Sequence, residues 1–142
     1  MPVILDTDLL TILQHASQPA SARLQRRLDQ IPDAEVFTSI ISFQEQMQGW
    51  LAVLHQARTE KRLLSAYAEL QRLLRDFCRL QVLPFDTASQ RLFADLRRQR
   101  IRIGTMDLRI AAIALSSGAT VLSRNVRDFS QVPGLRVEDW TL

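Results

Sequence analysis

The residues of this sequence best suited to chemistry are acids, and five of them stand where a short apolar run gives way to a helical pattern. Asp6 and Asp8 follow Val3-Ile4-Leu5, and Glu45 lies early in the helical stretch after Val36-Phe37-Thr38-Ser39. Asp107 opens the Ala-rich run Leu108–Leu115, and Asp128 comes shortly after Ala119-Thr120-Val121-Leu122-Ser123, with Arg124 and Asn125 between. In open α/β sheets, sites form outside the carboxyl ends of strands, near the point where strand order reverses. Carboxylates from four parts of the chain converge on one edge if the sheet winds in the usual way. Such a cluster repels itself unless a cation neutralises it. Hard oxygen donors suit Mg²⁺ or Mn²⁺ and do not suit zinc. With His15, His55 and Cys78 as the only imidazoles and thiol, a His- or Cys-based zinc site is excluded.

Each acid also has a local explanation. Asp6, Asp8 and Asp107 are well placed to cap helix N-termini, where the macrodipole favours negative charge. Glu45 suits a solvated helix face and Asp128 an Asx-turn. Asp33, Glu35, Asp86, Asp95, Glu138 and Asp139 belong to caps, turns and solvent.

The elements that must position these acids read as an alternation of strands and helices. Val3–Leu5 is a buried strand, and Asp6-Thr7-Asp8 caps a helix running to about His15. Pro19 starts a second helix, with Leu24, Leu28 and Ile31 at helical spacing, ending near Pro32. After the strand at Val36–Ser39, a helix begins at Ser42 with Phe43, Met47, Trp50, Leu51 and Leu54 recurring every three or four residues; core packing is expected for Trp50. A long helix from Thr59 to Arg79 carries Leu63, Leu64, Tyr67, Leu70, Leu74 and Phe77 on one face. Leu80–Leu83 is a third strand, Asp86-Thr87 caps a helix bearing Leu92, Phe93 and Leu96, and Asp107 begins another that stops at Gly118. A fourth strand over Ala119–Ser123 and a short one around Arg136-Val137 complete the pattern. Four to five short strands separated by helices predict an α/β fold, a parallel sheet covered on both faces.

At 142 residues the chain is the size of one domain, expected to span 1–142. Its 46% apolar and 23% charged residues, with 4 Gly and 5 Pro, exclude a disordered or collagen-like chain. One cysteine excludes an internal disulfide. No apolar run is long enough to span a membrane and the N-terminus lacks a secretory signal, so a cytoplasmic protein is expected. Seventeen Arg and one Lys, Lys61, against 15 acids give +3. Arg suits phosphate contact, although an Arg-for-Lys bias also follows from genome composition. At so small a net charge a nucleic-acid surface must be local: Arg97, Arg98, Arg100 and Arg102, then Arg124 and Arg127. Arg72, Arg75 and Arg79 read as a solvated helix face.

The context of the acids narrows the choice. Val3-Ile4-Leu5-Asp6-Thr7-Asp8-Leu9-Leu10 resembles the opening of PIN-domain ribonucleases, specifically the VapC-type toxins. Three more blocks match in order: Thr38–Glu45 with Gly49 four residues on, Ile103–Ala112, and Ser123–Phe129 followed by Val132-Pro133-Gly134-Leu135. The resemblance runs from residue 3 to about residue 140. It implies that Asp6, Glu45 and Asp107 hold a divalent metal, Mg²⁺ or Mn²⁺, with Asn125 at a fourth position that is often Asp, and Asp128 three residues on. Asn125 accepts hydrogen bonds but brings no charge. Asp8 stands where the family often has Asn, and Ser123 where Thr is usual. The implied activity is endoribonuclease cleavage of RNA, with Ser123, Arg124 and Arg127 toward substrate. The implied partners are a cognate antitoxin and a second copy of the chain in a homodimer, with the helices between Ser42 and Arg79 as the contact surface.

Three rivals remain open at this point. Asp6-Thr7-Asp8 after a strand also mimics the start of haloacid-dehalogenase-type phosphatases, but Lys61 lies mid-helix and no paired-acid motif follows. A non-catalytic binding module would use the acids only as caps. A DNA-cleaving enzyme differs from an RNA-cleaving one only in substrate, because attack by metal-bound water does not require the 2′-OH.

Overall fold

The structure, a computed structural model, describes residues 1–15 and 18–142. Five short strands, β1 (Val3–Leu5), β2 (Val36–Ser39), β3 (Val82–Leu83), β4 (Thr120–Leu122) and β5 (Val137–Glu138), form one sheet in the order β3-β2-β1-β4-β5. Every adjacent pair is parallel, with Val3 opposite both Val36 and Thr120. Parallel strands need crossovers, and helices supply them: α1 (Thr7–Gln14), α2 (Pro19–Leu28), α3 (Ile40–Gln56), α4 (Glu60–Arg79), α5 (Thr87–Arg98), α6 (Thr105–Ser117) and the short α7 (Val126–Phe129). The chain moves outward from β1 through β2 to β3, then returns to the other side of β1 at β4. The reversal lies between β1 and β4.

Alternation along β1 and β4 divides the apolar side chains between two cores. Ile4 and Val121 face α5 and α6, with Phe93, Leu96, Leu108, Ile110 and Phe129. Val3, Leu5 and Leu122 face α1 and α2, with Leu9, Leu24, Leu28 and Trp140. The sheet is therefore covered on both faces, as its apolar strands require. No helix among the described residues is long and apolar enough to cross a membrane.

Several boundaries differ from the sequence reading. Helix α3 starts at Ile40, two residues before Ser42, because the Ser39 hydroxyl accepts from the Ser42 N–H at 3.1 Å and caps it. Helix α6 starts at Thr105 behind Gly104, which caps with backbone alone, so Asp107 lies inside the first turn and caps nothing. The strand expected over Leu80–Leu83 is only Val82–Leu83, and α7 was not anticipated. The apolar face of α4 is mostly outward: Ala66 and Leu73 are buried, while Leu63, Leu64, Tyr67 and Leu74 are exposed. Trp50 is half-buried rather than in either core.

Candidate active site

Asp6 sits where β1 ends. Its N–H donates to the Leu122 carbonyl of β4 at 3.1 Å, fixing it at the strand-order reversal. Its Oδ1 accepts from the Leu9 N–H at 2.9 Å, so the residue does cap α1. Only 5% of Asp6 is exposed. Burial pushes its carboxyl from the ordinary 3.8 up to about 6, outweighing hydrogen bonds from the Ser123 hydroxyl and the Leu9 N–H, with Asp8 and Asp107 adding repulsion.

Asp107 reaches the same edge from the first turn of α6. It is half-buried, and its pKa is also raised, first by burial and then by repulsion from Glu45 and Asp128. Asp6 thus feels Asp107, and Asp107 feels Glu45 and Asp128. Acids that the sequence spreads over more than a hundred residues share one electrostatic neighbourhood.

Glu45 projects from the second turn of α3 and is held by hydroxyls that sequence reasoning did not single out. Thr7 Oγ1 donates to Glu45 Oε1 at 2.7 Å and lies 2.9 Å from Ser42 Oγ. Because the Thr7 proton goes to Glu45, Ser42 is the donor to Thr7, and Ser39 Oγ donates weakly to Ser42 at 3.5 Å. A file of hydroxyls therefore ends on the carboxylate. The signal available in the sequence was the spacing of Ser42 and Glu45, three residues apart on one helix face.

The segment after β4 supplies the remaining candidates. Ser123 is buried; besides reaching Asp6, its Oγ accepts from the Asn125 N–H at 2.9 Å. The Asn125 amide donates to Asp128 Oδ2 at 2.9 Å, so Asn125 and Asp128 form a unit. Arg124 grips Asp8 through two bonds, Nε to Oδ2 at 2.9 Å and a terminal nitrogen to Oδ1 at 3.1 Å. Arg127 is exposed on α7. Farther out, Arg97, Arg100 and Arg102 are exposed around the end of α5; Arg98 pairs with Asp95, and Arg97 and Arg109 both lie over the Phe93 ring.

The donor set fits a hard divalent cation. It is all oxygen, and two of its carboxyls are held above their ordinary pKa by burial and by repulsion from neighbouring acids, which a cation would relieve. Among the described residues no three Asp, Glu, His or Cys side chains are gathered closely enough to hold an ion unaided. Glu45 is turned toward Thr7, which suits contact through water better than direct ligation. A groove of about 630 Å³ lies elsewhere: Leu10, Leu13, Leu28 and Val36 line it with Arg72 and Asp76, and none of the site acids borders it. A second groove of about 490 Å³ runs beside Thr7, Glu45 and Trp50.

Comparison with known proteins agrees with this architecture. The tRNA(fMet)-specific endonuclease VapC of Salmonella typhimurium is 39% identical over 66 residues, 44% of this chain and 50% of that protein. Ribonuclease VapC1 of Rickettsia felis is 49% identical over 47 residues, 33% of this chain and 35% of that protein. The match thus spans half or less of the length of these curated relatives. The structure of VapBC-1 from nontypeable Haemophilus influenzae superposes over 100% of both chains with a TM-score of 0.74 at 23% identity. That of VapBC2 from Rickettsia felis, bound to a DNA fragment from its promoter, covers 99% of both at 0.72 and 22%. The sheet order, the acids at its reversal point and a family match over residues 3–135 together make the assignment, which displaces the phosphatase alternative: the chain belongs to the PIN domain family.

Proposed function

We propose that this PIN domain is a divalent-metal-dependent endoribonuclease and the toxin of a toxin–antitoxin pair, acting in the cytoplasm. The observation that carries the reading is Asp6: a carboxyl buried at the strand-order reversal, lifted to about 6, and repelled by a second half-buried acid, Asp107. Perturbed acids gathered at such an edge are the pattern of a site rather than of a surface.

In this reading Asp6 and Asp107 hold Mg²⁺ or Mn²⁺ directly, and Glu45 does so through water or orients the attacking water. When bound, such an ion lowers the pKa of its water and stabilises charge on the phosphoryl oxygens. The chain's own residues do the rest. Thr7 fixes Glu45 through one oxygen and leaves the other to accept a hydrogen bond. Ser123 and the Leu9 N–H orient Asp6. Asn125 and Asp128 flank the site as one hydrogen-bonded unit. Arg124 and Arg127 receive substrate phosphates, and the arginines around the end of α5 extend that track. The exposed Leu63, Leu64, Tyr67 and Leu74 of α4 support a partner-covered face, for an antitoxin or a second copy.

Induced expression of wild type against Asp6→Asn, scoring growth arrest and RNA integrity together, tests the proposal. Wild type is expected to arrest growth and fragment RNA, the purified protein to cleave RNA until EDTA is added, and the variant to do neither. Cleavage that survives EDTA, or an equally active variant, refutes it. A non-catalytic module is favoured by one observation, the lack of a ready three-ligand cluster among the described residues, and would appear as a chelator-insensitive protein that binds its partner without cutting RNA.

A further inference from the structure

Across the rim of the acid cluster, Arg124 at the end of β4 meets Asp8 in the first turn of α1. The two parallel bonds, 2.9 and 3.1 Å, use the side edge of the guanidinium. Side-chain exposures of 45% and 53% mean that the pair adds little to stability. What it does is fix the direction of a long, flexible side chain. A guanidinium has five N–H donors, and Asp8 engages two. Among the described residues no hydrogen bond or ion pair takes up the other three, which include a complete fork of the kind that takes two phosphate oxygens. The same guanidinium interacts electrostatically with Asp139 and, less strongly, with Asp6, so it stands between the C-terminal segment and the acids of the site.

We propose that Asp8 is a positioning residue for Arg124, holding the guanidinium side-on so that its free edge receives an RNA phosphate next to the bond being cut. The inference rests on the ribonuclease reading and adds a residue to it. An acid at the mouth of a site for a polyanion also repels the substrate, so Asp8 has two opposed effects. They separate by range: the repulsion of an approaching polyanion acts over a Debye length and fades first with salt, whereas the contact pair, closed by two hydrogen bonds of 2.9 and 3.1 Å, is screened less.

The test compares wild type, Asp8→Asn, Asp8→Glu, Arg124→Ala and the double variant Asp8→Asn/Arg124→Ala. Binding of a fluorescein-labelled RNA hairpin is measured by anisotropy in EDTA, and kcat and KM in Mg²⁺, at about 0.05 and 0.3 M salt. At the higher salt Asp8→Asn is expected to weaken binding and raise KM roughly three- to tenfold, the cost of ordering one free side chain, with kcat within about twofold. Asp8→Glu should recover most of the loss, and Asp8→Asn should do nothing further once Arg124 is Ala. Glu35→Gln, which removes the partner of the N-terminal amine, is the control for a surface ion pair and should change neither constant. Urea midpoints of the Asp8 variants should match wild type. Tighter or unchanged binding by Asp8→Asn at both salts, or an equal effect without Arg124, overturns the inference while leaving the ribonuclease reading intact. A wild type that neither binds nor cleaves RNA removes both.

Discussion

Replacing Asp6 by Asn should stabilise the metal-free protein while destroying cleavage. Asn caps a helix N-terminus about as well as Asp, so the bond from the Leu9 N–H survives. What disappears is the buried charge. The folded carboxyl titrates at about 6 and the unfolded one near 3.8, so between these values the folded state holds the proton that the unfolded state has released. Wild-type stability therefore falls as pH rises from about 4 to 6 and is level above that. At roughly 1.4 kcal/mol for each tenfold difference, the full fall is about 3 kcal/mol, and the Asn variant escapes it. For a domain of this size that is on the order of 9 °C in Tm at neutral pH, shrinking to nothing near pH 4. The assay is thermal unfolding of both proteins in chelator from pH 4 to 8. Adding Mg²⁺ at about a hundredfold excess over its Kd should then restore about 2.7 kcal/mol to wild type alone. A gap between variant and wild type that stays constant across the pH range would refute the reasoning, because it would show that the Asp6 charge is not under stress.

Other residues yield sharper local tests. Thr7→Val removes the hydroxyl that holds Glu45 at 2.7 Å; kcat for RNA cleavage should fall about tenfold, with a stability loss of about 1.5–3 kcal/mol by urea unfolding, typical of a hydrogen bond to a charged group. Thr38→Val should be neutral or stabilising by about 1 kcal/mol, because the buried Thr38 hydroxyl has no partner among the described residues; a clear destabilisation would reveal one. Arg100→Gly should add about 1 kcal/mol in the same assay, since Arg100, just past the C-cap Gln99 of α5, sits at φ 57°, the conformation that Gly118 adopts at φ 65° after α6 and that Gly favours. If RNA uses the Arg100 side chain, that more stable variant will bind the labelled hairpin less tightly, with a shallower salt dependence.

The strands and the acids were legible in the sequence because the signals are local: Val3–Leu5 is an apolar run of strand length, Thr120–Leu122 combines two β-branched residues with a Leu, and each is followed by a polar break. The misplaced boundaries have local causes too. Asp is so good a cap that Asp107 masks Gly104, which starts α6 without a side chain, and the four residues of α7 are too few to show a helical period. Other features were illegible in principle. Thr7 and Glu45 are 38 residues apart, and only the folded sheet brings that hydroxyl to that carboxylate. The leucines and Tyr67 on α4 share a face whether that face packs inside the chain or waits for another one; periodicity is the same in both cases.

Capping and chemistry looked like rival explanations for Asp6, and a second residue separates them. Asp86 is also an N-cap: it accepts from the Ser89 N–H at 3.0 Å and from the Ser89 hydroxyl at 3.0 Å. Asp6 has the same two kinds of partner, the Leu9 N–H and the Ser123 hydroxyl. Their acidities nevertheless move in opposite directions, Asp86 down and Asp6 up. A helix cap by itself stabilises the carboxylate, as Asp86 shows, so the cap cannot account for Asp6. The difference is place: Asp86 is exposed, whereas Asp6 is buried at the reversal of the sheet with Asp8 and Asp107 for neighbours. The cap aims the Asp6 carboxylate, and burial at the sheet edge beside other acids raises its pKa, a stress that a bound cation would relieve.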